Sequence, residues 1–313
     1  MLDRRIAFLQ WLTRVSGRSF RPGASVEVVR AGYRELNRRF GLRPVIGVET
    51  SVVAIPVSDG ARIWARLHRP VHADATLPVL LYFHGGGWVI GDAETYDPLT
   101  RYFAHEGRIA VVAVDYRKGP EHRIPVPFED GFDAYAWLLQ HAAEYRLDST
   151  RIAVGGDSAG GTIAAAIGTY AVDRGLAPPA FQFLIYPPVD GTLRFPSRNA
   201  YRRGDFILPE MRTWFAQYAL SDIAGMRHPY LTLLDAPHPE RTPPTYLLAA
   251  GYDSLVDEGR AYAERLRAAG VPVTYALYES LPHGLVNVAR VSPTAQRALK
   301  DGIDAVSRAL LTT

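Results

Sequence analysis

A serine hydroxyl becomes a useful nucleophile only when a base takes its proton and an acid orients that base. Ser158 has the setting for this. It lies at the centre of Gly156-Asp157-Ser158-Ala159-Gly160, between the apolar run RIAVGG and the helical pattern TIAAAIGTYAV. G-x-S-x-G between a strand and a helix makes a turn so tight that side chains two positions either side of the serine would collide, and Oγ is left exposed. For such an elbow the acid follows the serine and the histidine comes last. Downstream, TYLLAAG runs into GYDSLVDEG and VTYALYE into SLPHGLV, which offers Asp253 and His283 just past two apolar runs. Asp257 competes for the acid role, but Asp257-Glu258 opens the helical pattern DEGRAYAERLRAAG, where acids complement the helix dipole.

Attack on an acyl carbon puts negative charge on the carbonyl oxygen, and preorganised N–H donors stabilise that charge. Residues 79–92, VLLYFHGGGWVIGD, end an apolar run in a histidine and three glycines. Three glycines in a row give up much backbone freedom on folding, so a loop of this kind implies a close approach to something negative. Gly85 and Gly86 are the expected donors, with Ala159 after the nucleophile as a third. No phosphate-loop pattern competes, because neither G-x-x-x-x-G-K-[ST] nor G-x-G-x-x-G is present there. Trp88 and Asp157, beside these groups, are candidates to border a substrate pocket. His68 and His72 bracket Pro70 and cannot form an i, i+4 helical metal pair. These two, with His228 and His238, read as ordinary surface histidines. No metal or other cofactor is expected.

The elements needed to hold such groups are legible as apolar runs alternating with helical patterns. PVLLYF, RIAVVAVDY, RIAVGG, FQFLIYP, TYLLAAG and VTYALYE read as strands. FEDGFDAYAWLLQHAAEY, the segment after Ser158, DEGRAYAERLRAAG and the stretch from Ser292 onward read as helices. Continuous Val/Ile/Leu strands between helices imply an α/β fold with a mainly parallel sheet covered on both faces. TSVVAIPV and ARIWARLHRP, joined by Ser58-Asp59-Gly60, read as a hairpin before it. Residues 1–45 look helical, and Ile6, Leu9, Leu12 and Val15 fit one face of a helix better than a signal peptide, so this segment is expected to stay in the mature protein. From Pro187 to about Pro229 the alternation stops in an Arg- and aromatic-rich stretch, expected to pack with the N-terminal helices over the sheet's carboxyl edge. The expected division is a cap from 1–45 and 187–229 and a core from 46–186 and 230–313.

Composition narrows the classes. The 313 residues are 48% hydrophobic and 21% charged, with a net charge of +3 and lysine only at 118 and 300. No basic block suggests nucleic acid. Cysteine is absent, which excludes disulfides, thiolate zinc and a Cys nucleophile and suits the cytoplasm. No run reaches the roughly 18–20 apolar residues that span a membrane.

Five motifs, HGGGW (84–88), DYRKGPEH (115–122), GDSAGG (156–161), GYDSLVDEG (251–259) and His283-Gly284, resemble in order and spacing the hormone-sensitive-lipase-like group of α/β-hydrolases, the bacterial family IV esterases. The resemblance implies the α/β-hydrolase fold with a helical cap, Ser158, His283 and Asp253 as triad, and Gly85, Gly86 and Ala159 as oxyanion donors. It also implies that His84 and Tyr116-Arg117 support the oxyanion loop, that short to medium acyl esters are the substrates, and that a homodimer is possible. The chain departs from the usual pattern at Lys118-Gly119, where Leu-Ala is common, at Ser254, where Pro is common, and in the SLPHGL lead to the histidine. An amidase or deacetylase could use the same triad. A ligand receptor on a disabled scaffold is disfavoured, since His283 is present. Arg198, Arg202 and Arg203 could meet an acidic substrate, although a solvated basic face beside Asp205 explains them more simply.

Overall fold

The computed structural model describes residues 1–15, 23–71, 75–199 and 207–311. Arg202, Arg203, Asp205 and His72 lie outside them. The apolar runs form an eight-stranded sheet, β1 (Val48–Pro56), β2 (Arg62–Pro70), β3 (Leu77–Phe83), β4 (Ala110–Asp115), β5 (Leu147–Asp157), β6 (Phe181–Ile185), β7 (Thr245–Tyr252) and β8 (Val273–Pro282). They are ordered β1-β2-β4-β3-β5-β6-β7-β8. β1 and β2 form the expected hairpin, and β2 also runs antiparallel to β4; every other neighbour pairs parallel. Strand order was not readable locally, because β4 inserts between β2 and β3.

The helices are α1 (Arg4–Val15), α2 (Val26–Phe40), α3 (Asp97–Gly107), α4 (Val126–His141), α5 (Ala159–Tyr170), α6 (Pro196–Asn199), α7 (Pro209–Ala219), α8 (Val256–Ala268) and α9 (Pro293–Leu311). The seven residues of β3 are all buried, which explains why it reads as an unbroken apolar run. Its side chains alternate between two cores. Val79, Leu81 and Phe83 lie in one cluster with Phe128 and Phe132 of α4, Ile163 of α5 and Leu266 of α8. Leu80 and Tyr82 lie in a second cluster with Ile6 of α1, Phe103 of α3 and Leu299 of α9. Helix α3, which buries Leu99, Thr100, Phe103, Ala104 and Gly107 along one face, is the helix that the sequence alone leaves unassigned.

The region from Pro187 onward is less helical than expected. Its described residues form α6, α7 and a series of 3-10 turns that continue to Arg241, just before β7. Among the described residues no helix is long and apolar enough to cross a membrane.

Candidate active site

Ser158, Asp253 and His283 each follow the carboxyl end of a strand, β5, β7 and β8 respectively, and the glycine loop follows β3. Side-by-side parallel strands therefore deliver groups from distant parts of the sequence to one edge. The elbow is as tight as its glycines imply. A Cβ on Gly156 would lie 2.4 Å from the Gly160 carbonyl carbon, and one on Gly160 would lie 2.0 Å from Phe83 O. Ser158 is held at φ 52°, ψ −124°, anchored by its N–H donating to Ile185 O at 2.8 Å. Strained backbone of this kind persists only where its surroundings over-determine it.

The three side chains meet. His283 Nδ1 lies 2.8 Å from Asp253 Oδ2, and His283 Nε2 lies 2.8 Å from Ser158 Oγ. A carboxylate only accepts, so Nδ1 carries the proton and Nε2 is free to accept from the serine hydroxyl. Asp253 is 2% exposed and His283 4%, and the second carboxylate oxygen accepts from Leu255 N at 2.9 Å. The Tyr186 ring packs 4.4 Å from the imidazole, centroid to centroid. Asp257 is elsewhere engaged, accepting from Ser197 N at 3.0 Å.

The glycine loop requires a correction. Gly85 N donates to Asp157 Oδ1 at 2.9 Å, so this N–H is not open to a substrate oxygen. Asp157 also accepts from Tyr82 Oη at 2.9 Å and Tyr96 Oη at 3.0 Å, and its carboxylate is 2% exposed. It braces the loop through these three hydrogen bonds and is also among the residues that line the cavity described below. Burial pushes its carboxyl pKa up, against the three hydrogen bonds. Among the described residues the N–H groups of Gly86 and Gly87 have no partner, and Ala159 N belongs to the first turn of α5, whose donors lack intrahelical acceptors. Gly86 and Gly87 sit at φ 126° and 60°, the conformations that expose these groups and that only glycine adopts easily. Which of three adjacent glycines is free could not be read from the sequence, because it depends on Asp157, 72 residues away.

His84 and Tyr116 support the loop. Their rings stack 4.4 Å apart, His84 Nδ1 bonds Gly85 O at 2.8 Å, and Tyr116 Oη donates to His84 O at 2.7 Å. Arg117 grips the buried Asp130 of α4 and Asp59 of the hairpin. The Lys-Gly departure has a physical reason at Gly119: a Cβ there would lie 2.2 Å from Tyr218 O of α7, so alanine does not fit without a shift. Lys118 pairs with Asp115 at 2.9 Å.

These groups open into a cavity of about 620 Å³. Ser158, His283, Gly86, Gly87 and Trp88 form its floor, while Tyr33 and Leu36 of α2 and Met211 and Phe215 of α7 also line it. Trp88 both lines the cavity and packs on Phe128, with ring centroids 6.0 Å apart. Arg198 lines it as well, but its guanidinium is bound to the buried Glu258 and is not free for an acidic substrate. Glu258 further accepts from Val189 N at 2.8 Å, so the Asp-Glu pair that opens α8 clamps residues 189–198 onto the core. His68 is corrected too. It is 0% exposed because β2 is an interior strand, and its ring bridges Thr50 and Thr100 at 2.7 and 2.9 Å. Burial lowers its pKa to about 4.

A strained serine at a strand–helix elbow, joined through histidine to aspartate on an eight-stranded mainly parallel sheet, defines an α/β-hydrolase. A family model described as the alpha/beta hydrolase fold matches residues 80–287, and the chain belongs to this family, within its hormone-sensitive-lipase-like group. It is similar to carboxylesterase NlhH of Mycobacterium tuberculosis, 36% identical over 93% of this chain and 92% of that protein. It is also similar to an ethyl acetate hydrolase of Pseudomonas putida, 33% identical over 83% of each. Among solved structures, the hyperthermophilic esterase of Pyrobaculum calidifontis superposes with a TM-score of 0.89 at 33% identity, covering 98% of both chains. An ester-hydrolase from the Lake Arreo metagenome does so at 0.91 and 35%, also with 98% coverage of both.

Proposed function

We propose that this chain, an α/β-hydrolase of the carboxylesterase type, cleaves esters of short to medium acyl chains through an acyl-enzyme on Ser158. The observation that carries this reading is the continuous Ser158–His283–Asp253 hydrogen-bond chain at the floor of the cavity. Ser158 Oγ attacks the ester carbonyl carbon as His283 Nε2 takes its proton. Asp253 holds the imidazole in the required tautomer and stabilises its positive charge. The carbonyl oxygen, now negative, accepts from Gly86, Gly87 and Ala159 N–H. As the tetrahedral adduct collapses, the C–O bond to the alcohol breaks and His283 returns the proton to the leaving oxygen. Water, deprotonated by His283, then attacks the acyl carbon and releases the acid and Ser158. The mechanism needs no cofactor.

Substrate passes between the core and a cap made of residues 1–45 and the insertion from 187 onward, a division supported by α2 and α7 both lining the cavity. The lack of cysteine fits a cytoplasmic location.

The test is hydrolysis of p-nitrophenyl esters from acetate to palmitate by wild type and Ser158→Ala. Turnover greatest on short chains and reduced about 10⁴-fold or more in the variant is expected. Activity retained by Ser158→Ala, or a maximum at palmitate, contradicts the proposal.

A further inference from the structure

Helix α2 has an unusual inward face. Of its fifteen residues only Val26 is buried among the apolar ones, and Arg30, Tyr33 and Asn37, at helical spacing, all reach inward with polar atoms. Arg30 Nε donates to Val89 O at 2.9 Å and Arg30 Nη2 to Gly119 O at 2.9 Å. Tyr33 Oη lies 2.6 Å from Tyr96 Oη. Asn287 Nδ2, four residues after His283, donates to Tyr33 Oη and to Asn37 Oδ1, each at 2.9 Å. A helix that only shields a pocket needs an apolar stripe. This one presents hydrogen-bonding groups to the loops that carry the reacting parts.

The donor directions follow from the ends of the chain. Tyr96 has one hydroxyl proton, which goes to Asp157 Oδ2, so Tyr33 donates to the Tyr96 oxygen and accepts from Asn287. The bonds run in one sense, Asn287 to Tyr33 to Tyr96 to Asp157, and Asp157 in turn receives Gly85 N. Gly85 immediately precedes the peptide groups of Gly86 and Gly87.

We infer that Tyr33, on the N-terminal helix, is a positioning residue for the oxyanion loop, acting through Tyr96 and Asp157. The inference rests on Gly86 and Gly87 being oxyanion donors, as proposed above. Docking of α2 therefore completes the site that stabilises the oxyanion, beyond covering the pocket. Such a role costs less when lost than removal of an oxyanion donor itself, which lowers kcat about 10²–10³-fold.

The experiment compares wild type, Tyr33→Phe, Tyr96→Phe and the double variant on p-nitrophenyl acetate, with inhibition by phenylboronic acid, whose tetrahedral adduct on the serine places an oxygen where the oxyanion forms. Tyr33→Phe keeps the ring and its packing. It is expected to lower kcat on the order of tenfold, the equivalent of one hydrogen bond, with KM within about twofold of wild type. Boronate affinity should fall by the factor seen in kcat, and the double variant should be no worse than the weaker single one, since both cut one chain. A kcat for Tyr33→Phe within about twofold of wild type, an unchanged boronate affinity, or losses that multiply in the double variant overturns the inference. If Tyr96→Phe does not fold, the kcat, KM and boronate results for Tyr33→Phe decide alone. Ser158→Ala run alongside separates the two levels: its loss of turnover secures the mechanism, so a normal Tyr33→Phe then counts against the positioning role only.

Discussion

The triad and the oxyanion loop lie at one edge of the same sheet but are held in different ways. Ser158 and Asp253 follow directly on the largely buried interior strands β5 and β7, and His283 follows the edge strand β8, of which only the last two residues are buried. Their hydrogen bonds run among themselves and to backbone. Residues 84–91 are held both by buried groups, Asp157 and Tyr116, and from outside the core. Arg30 of α2 donates to Val89 O, Tyr33 bonds Tyr96, which in turn bonds Asp157, and Phe215 of α7 sits over Gly87. The proposed nucleophile thus sits at an interior strand end, while the proposed oxyanion donor Gly87 also lies against α7, a helix that lines the cavity.

The largest expected effect tests the scaffold side. Asp253→Asn is expected to lower kcat by about 10³–10⁴, since the imidazole loses the acceptor that sets its tautomer. Because the triad is built on strand ends, the unfolding midpoint should hardly move, and parallel kinetics and thermal melts check both. A large loss of stability would show that Asp253 also holds the fold together.

On the cap side, Arg198→Met removes the guanidinium from Glu258, which is 0% exposed. Breaking a buried pair leaves an uncompensated charge, and about 3 kcal/mol of stability is expected to be lost in urea unfolding. A loss below about 1 kcal/mol would mean that the backbone donors alone hold Glu258.

His68 is buried in the core on β2. Its folded pKa is about 4 against an ordinary 6.5, so the neutral form is favoured in the fold. This contribution is complete above pH 6.5 and declines as pH falls toward 4, by about 3 kcal/mol in all. Unfolding free energies of wild type and His68→Gln across that window should differ in slope, the variant being flatter; equal slopes would remove the assignment. The smallest change is expected for Trp88→Ala, which should move the acyl-length profile toward longer chains by enlarging the floor of the cavity. An unmoved profile would make Trp88 a packing residue only.

The contrast between scaffold and cap also explains what could be read from sequence. That Ser158, Asp253 and His283 would be brought together was legible because each sits in a local motif just past a strand, and strands announce themselves as apolar runs. Helix α2 and the hairpin were legible for similar reasons. The identity of the free glycines was not, since Gly85 is occupied through a side chain far along the chain. His68 looked like a surface residue because its burial depends on β4 pairing with β2, a matter of topology. The roles of Arg30, Tyr33 and Tyr96 had one available signal, the polar i, i+3, i+7 spacing of Arg30, Tyr33 and Asn37 on an otherwise amphipathic helix. The region from 200 to 206, which carries Arg202, Arg203 and Asp205, lies outside the described residues.

The central claim is that Ser158, activated by His283, is the atom that becomes acylated. The most direct measurement is labelling with a fluorophosphonate, followed by peptide mapping of wild type and His283→Ala. A single phosphonylated peptide carrying Ser158 in wild type, with labelling slowed by about 10³-fold or more in the variant, is the predicted result. Labelling at another residue, or an unlabelled enzyme that still hydrolyses esters, would contradict the account.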